Sequence, residues 1–155
     1  MENFILFLLC YNKNIKRSFI IITMDKVQHF EIPVDNISRA KKFYEQSFGW
    51  GTKDWPMPDG TNYVGLYTGP VDEKNMWKEP GFINGGMFER GKSLPVTGPT
   101  IAVVTENIDT ALDKVKAAGG TIVMEKKEMM GMGFYAYVKD TEGNTIGVWQ
   151  DIKKK

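Results

Sequence analysis

The chain has very little of what builds disulfides or zinc clusters: Cys10 is its only cysteine and His29 its only histidine. One cysteine excludes an internal disulfide and any cysteine-based zinc cluster. Long apolar runs are missing too. The opening run Phe4–Cys10 falls far short of the roughly 20 residues that a membrane-spanning helix needs. Glu2 precedes that run and Lys13, Lys16 and Arg17 come after it, the reverse of a secretory signal. Neither sign of charge dominates, with 20 Lys and Arg against 19 Asp and Glu and a formal net charge of +1. Apart from Lys153-Lys154-Lys155 the basic residues are scattered, so no basic stripe supports nucleic-acid binding. These absences leave no nucleic acid and no membrane among the expected partners, and the cytoplasm as the expected location.

What is present suits one domain. A chain of 155 residues, 42% of them hydrophobic, can bury roughly 70% of its unfolded surface without a disulfide or structural metal. Residues 1–23 do not resemble the rest of the chain. They read as an unstructured extension or one mis-assigned from an upstream start codon, the alternative being a membrane-active tail. Met24 then opens a domain over residues 24–151.

That domain repeats itself. At an offset of 71, Asp35-Asn36-Ile37 falls on Glu106-Asn107-Ile108, Ala40 on Ala111 and Gly49 on Gly120. The same offset lays Tyr63-Val64-Gly65-Leu66 on Phe134-Tyr135-Ala136-Tyr137. A fixed period of this kind marks a duplicated structural unit. Within a unit, Val27–Val34 alternates, with Phe30, Ile32 and Val34 on one face and His29 and Glu31 on the other. Ile37, Ala40, Phe43, Tyr44 and Phe48 then recur at helical spacing, with Asn36 as the amino cap and Gly49 as the stop. The second unit matches, with Ile101 and Val103 on a strand face, then a stripe of Ile108, Ala111, Leu112, Val115 and Ala118 before Gly119-Gly120. Further strands are predicted over 51–55, 62–68 and 82–89, and over 121–127, 133–139 and 145–150. Phe82–Phe88 matches Asn144–Trp149 best at an offset of 61, so the first unit (about 26–90) carries ten residues more than the second (about 98–151). The surplus falls around Gly69–Pro80 and suits a loop or lid.

Two stretches, HFEIPVDN with AKKFY and FGW, and AVVTENIDTALDKVKAAGG with GFYAYVKDTEGNTIGVWQ, carry a resemblance. Together they resemble the glyoxalase/bleomycin-resistance/dioxygenase superfamily, the vicinal-oxygen-chelate fold, over about residues 26–151. The most specific mark is Lys139-Asp140-X-X-Gly143-Asn144, read as a tight turn with positive φ at Gly143 and Asn144. The resemblance implies an α+β fold of tandem βαβββ units. They would form an open, barrel-like mixed sheet with helices outside and a cleft within. It places His29 and Glu31 in that cleft.

Metal-dependent members of the superfamily carry His or Gln on the first strands and Glu on the last, four groups around one divalent ion. His29 occupies the first position. The offsets put Thr100, Gly86 and Gly147 at the other three, and glycine offers no ligand at all. Glu31, about 6–7 Å along the same strand face, makes with His29 too weak a site for a divalent ion. Glu89 and Glu128 help only if the register slips by one. No metal and no cofactor are therefore expected. His29 and Glu31 read either as a pair, in which the carboxylate raises the imidazole pKa, or as an inert hydrogen-bonded histidine.

Bulky groups flank the vacated positions. The candidate ligand-binding residues are His29, Glu31, Trp50, Trp77, Phe88, Thr100, Met132, Phe134 and Trp149. Trp50 has the plainer alternative of packing the core. Such a pocket suits a small, flat organic molecule. The expected function is metal-free small-molecule binding within this superfamily, with the reaction open. The alternative is a metal-dependent lyase, isomerase or dioxygenase, lactoylglutathione-lyase-like, and a third class is an accessory domain acting through protein contacts. Pairing of units between chains in the superfamily implies a homodimer. The extension yields the first prediction: a chain starting at Met24 folds with stability within about 1 kcal/mol of the full chain. Urea denaturation of the two checks it, and a larger loss would make residues 1–23 structural.

Overall fold

The computed structural model describes residues 24–73, 78–92 and 94–152. The expected N-terminal extension and Trp77 lie outside the described residues. Within them the order is β1 (Lys26–Val34), α1 (Ile37–Phe48), β2 (Gly51–Pro56), β3 (Asn62–Tyr67) and β4 (Gly85–Glu89). The series then repeats as β5 (Thr100–Val104), α2 (Ile108–Ala117), β6 (Thr121–Met129), β7 (Gly133–Lys139) and β8 (Thr145–Asp151). All eight strands form one sheet in the order β2-β3-β4-β1-β5-β8-β7-β6. β1 runs parallel to β4 and β5 parallel to β8, while β1 and β5 pair antiparallel at the centre. This is two βαβββ units joined through their first strands. β2 and β6 end the sheet without meeting, so it is open.

Both helices begin as the sequence predicts. Asn36 accepts from the Arg39 amide at 2.8 Å and Asn107 from the Thr110 amide at 2.9 Å, each satisfying an amide that has no partner within the helix. Ile108 and Leu112 bury α2 against Ala136, Val138 and Val148. α1 lies over Val64, Leu66 and Met87, together with Phe30, Ile32 and Trp50. Ile101 shares the helix-side face of β5, yet it packs under neither helix and stays 45% exposed.

The structure corrects the register of the repeat. In the third strand of each unit the helix side is held by Val64 and Leu66, and in the second unit by Ala136 and Val138. The equivalence is therefore an offset of 72, which sets Tyr63 on Tyr135. One residue of slip exchanges the two faces of a strand, and this one decides which aromatics enter the cleft. The Asp140 turn is corrected as well. Only Gly143 takes positive φ there, at 83°. Asn144 instead supplies its backbone amide, at 2.8 Å, and its side-chain amide, at 2.9 Å, to the Asp140 carboxylate. In the Gly69–Pro80 segment the described residues are bends and turns around a single bridge at Val71, and the Lys78 amide donates to the Pro70 carbonyl at 3.1 Å.

Candidate functional site

The concave side of the sheet holds a cavity of about 430 Å³. Strand alternation sends every second residue into it, and the central crossing of β1 and β5 places residues of both units around one space. Of the residues singled out from sequence, His29, Glu31, Phe88, Met132 and Trp149 line it. No described residue of the Gly69–Pro80 segment does.

Three candidates belong elsewhere. Trp50 stacks on Tyr44, with ring centres 5.1 Å apart, under α1, because the chain leaves the helix on the side away from the cleft. Phe134 packs with the α2 cluster, and Lys126 Nζ lies 5.4 Å above its ring; this is the consequence of the offset of 72. Thr100 is buried on the cleft side of β5, but it does not reach the cavity and its hydroxyl donates to the Thr145 carbonyl.

The buried charged residue of the lining is Glu31, only 4% exposed. Its Oε2 accepts from Tyr137 at 2.6 Å and from Tyr135 at 2.9 Å. Burial pushes its pKa above the ordinary carboxyl range, and the two hydroxyl donors pull partly against that. Burial, and then the nearby Glu31 charge, drives the hydroxyls of Tyr63, Tyr135 and Tyr137 upward, so they remain protonated donors. His29 and Glu31 do not pair with each other. His29 Nε2 sits 2.8 Å from the Tyr63 hydroxyl, and burial pushes the imidazole from 6.5 down to about 4. Of the two readings of His29, the carboxylate-raised pair has no contact to support it, and burial favours the neutral imidazole.

Sequence reasoning missed Tyr63, Tyr135 and Tyr137. The signal was available, since an offset of 72 aligns the first two, but no single strand reveals a slip of one residue.

The tyrosines also bear on a metal. Gly86 faces Glu31 across β4 and β1, and Gly147 faces Ala102 across β8 and β5. A Cβ built at Gly86 would stand 2.0 Å from the Tyr63 hydroxyl, and one at Gly147 would stand 2.0 Å from the Tyr135 hydroxyl. The space a ligating side chain would need at either glycine is thus filled by a phenol. Glu89 pairs with Lys92 at 2.8 Å, and neither it nor Glu128 lines the cavity. Among the described residues no three of His, Cys, Asp and Glu are placed to hold a metal ion. The lining offers His29, Glu31 and Asp151, each already hydrogen-bonded and not grouped around one point, which does not fit the three or four ligands of a divalent catalytic site.

This sheet, duplicated about its centre with a concave site between the halves, defines a class of protein, and the chain's similarities agree with it. Residues 26–148 match the model of the Glyoxalase/Bleomycin resistance protein/Dioxygenase superfamily. The chain belongs to that superfamily. It is 31% identical over 115 residues to CFP32 of Mycobacterium bovis, whose name describes it as a candidate glyoxylase. The match takes in 73% of this chain and 41% of that protein, so the chain spans under half the length of that relative. A glyoxylase-like domain-containing protein of Didymella fabae is 25% identical, over 79% of this chain and 91% of the other. Among solved structures, protein BH1468 of Bacillus halodurans superposes with a TM-score of 0.62 at 17% identity, over 86% of this chain and 99% of that one. Methylmalonyl-CoA epimerase of Mycobacterium tuberculosis gives 0.59 at 15% identity, over 82% and 88%. At these identities the structures show the fold alone. No helix among the described residues is long and apolar enough to cross a membrane.

The crowding at the glycines and the burial of the histidine each give a prediction. Gly147→Ala, with its Cβ 2.0 Å from the Tyr135 hydroxyl, should lower stability by about 1–3 kcal/mol in urea denaturation; unchanged stability would mean that Tyr135 yields freely. The second concerns acid. The unfolded chain protonates His29 near 6.5 and the folded chain only near 4, so stability present above 6.5 is lost as pH falls through that interval. Glu31 acts with the opposite sign, its raised pKa favouring the folded state in acid. Comparing wild type with His29→Gln isolates the histidine. The variant should lose about 2 kcal/mol less between those two pH values, and parallel curves would refute the buried neutral imidazole.

Proposed function

We propose that this protein binds a small, flat, largely apolar organic molecule in the cleft and needs no resident metal to do so. The observation that carries the reading is the cavity wall. Trp55, Tyr63, Phe88, Tyr135 and Trp149 line a space of about 430 Å³, with Glu31 and His29 among its polar residues. Mostly apolar concavities with a few placed polar groups suit small organic ligands, and the methionines at the mouth, Met129, Met130 and Met132, adapt to irregular outlines. Metal independence is supported by the two phenols standing where ligands at residues 86 and 147 would need room. The metal-dependent lyase, isomerase or dioxygenase reading has no comparable support in the donor set. Homodimer formation belongs to the same proposal, on the superfamily's habit of pairing units between chains.

The test has two arms. Elemental analysis of purified protein should find no stoichiometric zinc, nickel, iron or manganese, and chelator should leave the melting temperature unchanged. In the second arm, one- and two-ring aromatic compounds should raise that temperature, because a ligand that binds only the folded state stabilises it. About one tightly held metal per chain, lost in His29→Ala, would overturn the proposal and restore the metalloenzyme.

A further inference from the structure

A buried carboxyl group is costly unless a cation or enough hydrogen bonds compensate it. Glu31 has the hydrogen bonds on one oxygen only. Both tyrosine hydroxyls go to Oε2, and among the described residues none donates to Oε1. That oxygen does not count among the buried polar atoms lacking a partner, and Glu31 lines the cavity, so Oε1 is left to meet whatever enters.

The residues that line the cavity supply no positive charge, although Lys53 Nζ stands 4.5 Å over the ring of the lining Trp55. The cavity lining contains no lysine and no arginine, and its two charged residues, Glu31 and Asp151, are both acidic. The ion pairs among the described residues, Lys41–Asp54, Arg90–Asp35, Lys92–Glu89 and Lys126–Asp109, lie outside the cavity. The titratable groups that line the cavity with Glu31 come from its own strand (His29), from β3 (Tyr63 and Tyr67), from β7 (Tyr135 and Tyr137) and from β8 (Asp151). β4 and β5 bring Phe88, Thr100, Ala102, Val104 and glycine to that side, none of which carries a charge. Aromatic faces around a carboxyl group without a counter-ion attract cations, through the ring quadrupole and through charge-assisted hydrogen bonding. The same lining repels carboxylates and phosphates.

We propose that the molecule this cleft takes is an organic cation, an alkylammonium carried on a flat apolar ring. Its N–H donates to Glu31 Oε1 while its charge rests against the surrounding aromatic faces. Such a ligand deepens the proposed function, and its assignment rests on that function.

Isothermal titration of the full chain with three probes of one shape tests it: 2-phenylethylammonium, 2-phenylethanol and phenylacetate. The ammonium should bind about tenfold more tightly than the alcohol, and phenylacetate should bind least. The ammonium's affinity should rise with pH above the ordinary carboxyl range, as Glu31 ionises, while the probe itself stays charged throughout. His29 is already neutral there. Glu31→Gln keeps an acceptor for the tyrosines but no charge, so the ratio of ammonium to alcohol affinity should fall to about one. Equal binding of ammonium and alcohol, an affinity that falls with rising pH, or a preference lost in Asp151→Asn but kept in Glu31→Gln would each overturn the inference while leaving the cleft reading standing. Failure of all three probes to bind would overturn that reading and the inference with it.

Discussion

Two hydrogen bonds to one oxygen organise this molecule. Tyr135 and Tyr137 come from the second unit and Glu31 from the first, more than a hundred positions earlier in the chain. Their bonds tie β7 to β1 across the concave side of the sheet, spanning the β5 and β8 strands that lie between. A carboxyl group this deeply buried tolerates its position because those donors share its charge. The same donors confine it to one orientation, with Oε2 spent and Oε1 turned to the cavity. Removing either hydroxyl would weaken the link between the halves and the polarity of the site together.

The tyrosines, in turn, depend on glycine. Tyr63 and Tyr135 can lay their hydroxyls over β4 and β8 only because residues 86 and 147 have no side chain. In each unit the last strand yields its cleft-facing position and the third strand fills it. The exchange turns a place where the superfamily's metal-dependent members hold ligands into a phenol-lined wall. Those phenols stay protonated and His29 stays neutral, both through burial, so the cavity offers hydrogen bonds and ring faces with almost no fixed charge. Glu31 is the deeply buried exception, and the chemistry of the site turns on its state.

Sequence alone determined a good deal. The repeat, the capped helices, the alternation of β1 and the absence of metal-ligand residues at 86 and 147 are local properties, readable because a helix repeats every 3.6 residues and a strand every two. They led to the duplication of a strand–helix–strands unit, and the superfamily resemblance added the βαβββ cleft and the cleft-facing assignment of His29 and Glu31. The partners of those two residues were decided elsewhere. Whether Tyr135 or Phe134 entered the cleft hinged on a shift of one residue between units, and strand period cannot fix its own phase when both faces are apolar. Trp50 could serve cleft or core until the chain's exit from α1 set it against Tyr44. His29 found Tyr63 across β4, within the first unit, and Glu31 found Tyr135 and Tyr137 only when the central antiparallel pairing of β1 and β5 joined the two units. Hydrogen bonds across such distances depend on position in space, and that position is set only once the whole sheet has formed.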